Sequence, residues 1–281
     1  MKLPIRRVNT LVTVSSVLLI ALILLFSLNL WQPAMSKTLR LSQFTHGIHI
    51  ASVVFPGGLF AGEQGVAIMP LGDSITYGAN SSSYGGYRVW LWQDSVAASW
   101  KIHFVGSVSA GPASLPDKAN EGHPGWRTDQ ISKHVVNWLD TYQPQIILLH
   151  IGTNDILQGY SVATAVARLN TLVNQITTTE PNATLIVAQI IPLGSPALNA
   201  KVRQYNTDLV TLMQQKKAIG KHIMVVDMYN AVPLSDITDH IHPDNAGYKI
   251  MAHVWYDALA QLLTPDAKQQ SISLLNHSHV S

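Results

Sequence analysis

Five short apolar runs recur along the chain, at residues 66–71, 102–105, 146–150, 185–190 and 223–226. None alternates apolar with polar, as a strand with one wet face does. Continuous apolar character over strand length is what burial on both faces of a parallel sheet requires. Between these runs the period changes. Val162, Val166, Leu169, Leu172, Val173 and Ile176 recur at spacings of three and four, which places them on one face of a helix. Residues 87–99, 128–139, 197–217 and 246–263 read the same way. Alternation of strand and helix five times over predicts a three-layer α/β/α sandwich, with a five-stranded parallel sheet and right-handed crossovers. That domain is expected over residues 66–263. A polar, aperiodic tail follows at 264–281, and an approach segment precedes it at 32–65, where Pro56-Gly57-Gly58 marks a turn. The chain has no internal repeat.

Composition removes several functions. Only 12 % of the 281 residues are charged, about half the ~25 % usual for soluble domains. This excludes a disordered chain, a coiled coil and an electrostatically driven nucleic-acid binder. The formal charge is +2, from 18 basic and 16 acidic residues, but Lys2, Arg6 and Arg7 stand in the first 35 residues with no acid. Without those three, 15 basic groups face 16 acidic ones, a balance of −1 that calls for no polyanionic partner. The absence of cysteine excludes disulfides, Cys-ligated zinc, iron–sulfur clusters and thiol nucleophiles.

Residues 11–31 carry no charge. Twenty-one helical residues rise roughly 31 Å, which matches a hydrocarbon core of ~30 Å. The run exceeds the apolar region of a secretory signal, about 7–15 residues, and ends on Trp31, where an interfacial aromatic belongs. The basic residues within 1–10 predict a cytoplasmic N-terminus and an extracytoplasmic remainder, anchored to the membrane by an N-terminal hydrophobic helix. Cleavage near Pro33-Ala34-Met35-Ser36 would instead give a secreted protein.

A parallel sheet of this kind binds its ligand at the carboxyl ends of its strands. After the first predicted strand comes Gly72-Asp73-Ser74-Ile75-Thr76, and the second leads to Glu121-Gly122-His123-Pro124-Gly125-Trp126. Gly152-Thr153-Asn154-Asp155 follows the third, and Asp239-His240-Ile241-His242-Pro243 the fifth. That inventory suits acyl transfer. A serine hydroxyl attacks only if a base takes its proton, and imidazole can accept that proton and later return it. A carboxylate on the other ring nitrogen fixes the tautomer. Asp239 and His242, three apart, share a face of one helical turn. The N–H groups of Ser74 and Gly125 and the Asn154 amide are candidate donors to an oxyanion.

Each block alone has a plainer reading. Asp and Ser are ordinary turn and N-cap residues, and Gly-Thr-Asn-Asp can simply cap a helix. Asp239 and His242 could also join Asp236 and His240 around a divalent ion, although no third ligand has a signature of its own. Order decides, because the four blocks fall in sequence at four functional loops. G-x-S-x-G, G-x-G-x-x-G, a Walker loop and H-E-x-x-H are all absent.

In these four blocks the chain resembles the SGNH, or GDSL-type, hydrolases from residue 66 to residue 263. The resemblance implies a flavodoxin-like fold, Ser74 as nucleophile, and Asp239 and His242 as the rest of a triad. It also implies an oxyanion hole of Ser74, Gly125 and Asn154, with no metal or cofactor. GDSITYGANSSSYGGYR (72–88), EGHPGWRTDQI (121–131) and LLHIGTND (148–155) are similar to the third carbohydrate esterase family, the acetylxylan esterases. That similarity implies an acylated carbohydrate or other small ester as substrate. The loop of residues 77–87 and Trp126 are then candidate platforms for a sugar ring. His240 also adjoins Asp239, but only His242 fits the D-x-x-H pattern. A lipid-directed esterase or thioesterase of the same fold is the rival, and it would want a long apolar groove. The Ser-, Gly- and Asn-rich loops favour a polar substrate. A catalytically silent, membrane-tethered glycan-binding domain is disfavoured because the catalytic set is complete.

Overall fold

The computed structural model describes residues 65–264. The segment 11–31, on which the membrane expectation rests, lies outside the described residues. Among those residues no helix is long and apolar enough to cross a membrane.

The five predicted strands form as β1 (Val66–Gly72), β2 (Ile102–Phe104), β5 (Ile146–His150), β6 (Thr184–Ala188) and β7 (Ile223–Val226), all parallel. Their order is β2-β1-β5-β6-β7, the flavodoxin-like arrangement. The expected five-stranded sheet is corrected in number, because β3 (Val108–Ser109) and β4 (Ala119–Gly122) bring it to seven strands. Strand β4 runs parallel to β1 and antiparallel to β3. It takes over an edge that β2 leaves free: β2 pairs with β1 as far as Ile68, and β4 pairs from Leu71 onward. The chain turns away at Gly106 (φ +149°), where a Cβ would lie 2.4 Å from the Asn120 backbone.

This handover explains a proline inside a central strand, which ordinarily argues against strand structure. On β1 the even-numbered residues bond toward β2, since Val66 donates to Lys101 and Val105 donates to Ile68. The missing N–H of Pro70 therefore falls in the gap after β2 and before β4.

Successive side chains of a strand point to opposite faces, and here both faces are dry. Met69, Leu71, Ile147, Leu149, Leu185 and Val187 enter one core. It is covered by α3 (Thr128–Ser132), α4 (Val135–Tyr142), α6 (Val162–Thr179) and α7 (Pro196–Ala218). Ile68, Ile146, Leu148 and Ile186 enter the other, beneath α2 (Tyr87–Ala97) and α9 (Asn245–Leu263). The single helix expected over 128–139 is two. Ile131, Val135 and Leu139 keep one apolar stripe across the break, so the period gives no sign of it.

Candidate active site

Three short elements bring the candidate residues to the carboxyl rim. Helix α1 (Ser74–Tyr77) follows β1 directly, capped by Asp73, whose Oδ1 accepts the Ile75 N–H at 3.0 Å. Helix α5 (Thr153–Leu157) follows β5 through Gly152, whose φ of +124° and contact with the Tyr205 ring leave no room for a Cβ. Beyond β7, α8 (Met228–Ala231) and a 3-10 turn (Leu234–Asp236) lead into the loop of Asp239 and His242.

Ser74 Oγ lies 2.9 Å from His242 Nε2, and His242 Nδ1 lies 2.7 Å from Asp239 Oδ2. With the Nδ1 proton donated to Asp239, Nε2 is left as acceptor for the serine hydroxyl. The spacing of three works here through a turn rather than a helix. Asp239 Oδ1 accepts the N–H groups of Ile241 at 2.9 Å and His242 at 2.6 Å. Partial burial works against the charged carboxylate, but those two N–H groups and the imidazole outweigh it and hold the Asp239 carboxyl below its usual range. His240 points elsewhere. It has φ +71°, its carbonyl accepts the Gly194 N–H at 3.0 Å, and its ring fills the space that a Gly194 Cβ would need. Among the described residues no group of three or more His, Cys, Asp or Glu side chains is arranged to hold a metal ion.

Ser74 heads α1, so its N–H has no intrahelical acceptor. Gly125 is exposed with φ +79°, and no acceptor among the described residues meets its N–H. Asn154 Nδ2 donates to the Trp126 carbonyl at 3.0 Å and, at a long 3.4 Å, to Asp73 Oδ2. One amide hydrogen is thus firmly held and the other only loosely.

Several positioning groups gave no sequence signal of their own. Buried Asp155 accepts from Thr128 N–H and Oγ, at 3.0 and 2.9 Å, and pairs with Arg168 Nε at 2.8 Å. It thereby ties the Asn154 helix to the segment after Trp126. Gln158 donates to the Gly125 carbonyl at 3.0 Å. Glu121, on β4, and His123, just past its end, form a further pair. His123 Nε2 lies 2.8 Å from buried Glu121 Oε2, and its backbone N–H donates to Gly72. Its ring centroid is 4.4 Å from that of Trp126 and 4.7 Å from that of Trp138. The two indoles are 6.4 Å apart, so the imidazole lies across both rather than between them. Trp126 is therefore part of a half-buried cluster of stacked rings.

Asp73 is fully buried, and that burial, with Asp155 nearby, raises its carboxyl to about 7. The unfolded chain releases this proton near pH 3.9, so the native state holds it across the interval. The resulting stability is fully present below about pH 4 and is lost as pH rises through about 7. Denaturant unfolding should show wild type losing stability against Asp73→Asn across that window, by up to a few kcal/mol. A difference that stays constant from pH 4 to 8 would contradict the assignment.

Comparison with known proteins agrees with the fold. A solved Clostridium thermocellum family 3 carbohydrate esterase is 38 % identical, with a TM-score of 0.62, over 68 % of this chain and 94 % of that one. A putative endoglucanase X of Acetivibrio thermocellus is 35 % identical over 144 residues, 50 % of this chain. A multidomain esterase of Ruminococcus flavefaciens is 28 % identical over 235 residues, 73 % of this chain. The matches span 61 % of the former protein's length and 30 % of the latter's. A doubly wound sheet with serine, histidine and aspartate joined at its carboxyl rim is the framework of an acyl-transfer hydrolase. The chain belongs to the GDSL-like lipase/acylhydrolase family, a family of carboxylic ester hydrolases, whose model matches residues 71–250.

Proposed function

We propose that the protein is a serine esterase that removes short acyl groups, acetyl foremost, from carbohydrate hydroxyls. The observation that carries this reading is the unbroken hydrogen-bond chain from Ser74 Oγ through His242 to Asp239 at the end of β1. In the proposed reaction Ser74 Oγ attacks the ester carbonyl while His242 Nε2 takes its proton. Asp239 stabilises the imidazolium, and the same proton then passes to the departing sugar oxygen. Water, deprotonated by His242, releases the acid and restores the serine. The N–H groups of Ser74 and Gly125 and the loosely held hydrogen of Asn154 receive the oxyanion. A carbohydrate substrate is supported by the polar loops on the rim and by the likeness to a carbohydrate esterase at 38 % identity. Residues 11–31 would hold the domain outside the cell, which the N-terminal residue of the mature, membrane-fractionated protein checks.

The test is acetate release from acetylated xylan and other acetylated glycans, beside p-nitrophenyl esters of increasing chain length. Acetyl esters should be the best substrates, with rates falling as the acyl chain grows. A preference for long chains would instead indicate a lipid-directed enzyme, and no turnover at all a silent binding domain. Asn154→Ala should lower kcat by about 10²–10³ with KM little changed, as loss of an oxyanion donor does. A raised KM at constant kcat would make Asn154 a substrate-binding group instead.

A further inference from the structure

The loop of residues 78–86, between α1 and α2, is built more rigidly than its composition suggests. Arg88 is fully buried beneath it. A guanidinium has five N–H donors, and each finds a backbone carbonyl. Nε donates to Thr76 at 3.3 Å, Nη1 to Ala110 and Lys118 at 2.9 and 3.1 Å, and Nη2 to Tyr77 and Tyr84 at 3.1 and 3.0 Å. Burial pulls this group down to about 10, the mark of a cation held where water does not reach. The neck of the loop is closed by Gly78 against Gly86, where a Cβ on Gly78 would lie 2.4 Å from the Gly86 nitrogen. Its far side is tied to the triad loop: Asn80 Nδ2 donates to Thr238 Oγ1 and to the His242 carbonyl, and the Ser82 N–H donates to Asn245.

What this scaffold holds up is Tyr84. Its φ is +55°, a left-handed conformation that bulky residues rarely adopt and that tends to persist where function requires it. The side chain is nonetheless 56 % exposed, so no core packing repays the strain. Its ring meets Tyr77, centroid to centroid at 5.6 Å. Tyr77 lies three residues after Ser74 on α1, one turn away. An aromatic face is thus presented to solvent against Tyr77 of the helix that begins with the nucleophile, while Trp126 is engaged by its own cluster.

We propose that Tyr84, backed by Tyr77, is the platform on which a pyranose ring of the substrate stacks, with the ester carbonyl of that sugar directed to Ser74. The proposal rests on the carbohydrate-ester reading and adds to it which side of the rim takes the sugar. The apolar C–H face of a pyranose covers the tyrosine ring and leaves the sugar hydroxyls in water. Buried Arg88 acts as a positioning residue, fixing the Tyr84 backbone through its carbonyl.

The experiment compares kcat/KM on acetylated xylotriose with kcat/KM on ethyl acetate, which has no ring to stack. In Tyr84→Ala the ratio of the two should fall on the order of ten-fold, carried by KM on the sugar ester, and Tyr84→Trp should restore most of it. A ratio that stays at the wild-type value in Tyr84→Ala refutes the platform, including the case in which both substrates decline together. If wild type hydrolyses ethyl acetate but shows no preference for the sugar ester, the carbohydrate reading itself is wrong and the platform falls with it.

Discussion

Ser74→Ala is expected to lower kcat for ester hydrolysis by about 10⁴–10⁶ while leaving the fold intact, because nucleophile and base act as one unit. Among the described residues the hydroxyl has one side-chain hydrogen-bond partner, His242 Nε2. The cap that holds its helix comes from Asp73 and survives the substitution. The melting temperature should therefore move little. A sulfonyl fluoride should label Ser74 stoichiometrically, and the variant should escape labelling. Substantial residual turnover in the variant, or activity lost to a chelator and restored by a divalent ion, would remove the serine from the centre of the mechanism.

An equally steep loss, again about 10⁴–10⁶, is expected for His242→Ala, and the double variant with Ser74→Ala should be scarcely worse than either single one. His240→Ala should cost less than about ten-fold. The geometry separates the two histidines: His242 bridges Ser74 and Asp239, whereas the ring of His240 packs on Gly194 after β6. Asp239→Asn should lose about 10²–10⁴ in kcat, since it keeps the shape but favours the wrong tautomer. A larger loss at position 240 than at 242 would reverse the assignment.

The central strands were legible because each is apolar on both faces, and nothing but a buried parallel strand asks for that in runs so short. Ser74 and Asn154 were legible because each follows such a strand within a few residues, whereas Asp239 and His242 lie beyond a helix and a 3-10 turn after β7 and were legible through their own spacing. Strand β4 was not, since Ala119-Asn120-Glu121-Gly122 has no strand composition. It exists because β2 departs at Gly106 and leaves the upper edge of β1 open, a fact of packing rather than of local sequence. By local rules Pro70 even argued against its own strand. Asp239 and His242 were paired correctly by spacing, yet for a reason the structure replaces, a carboxylate-bonded turn in place of a helical one. Nothing local to Arg88 marks it as buried, and only the tertiary fold places carbonyls around all five of its donors.

The direction of two elements fixes how the molecule can be held. Strand β1 enters at Val66 and reaches the rim at Gly72, a run of about 23 Å at ~3.3 Å per residue. Helix α9 starts on the rim, where Asn245 meets Ser82, and runs back beneath the sheet to Leu263, about 28 Å at 1.5 Å per residue. Both covalent exits from the domain therefore leave through its base, like the two strands of a handle, with the chemistry at the opposite pole.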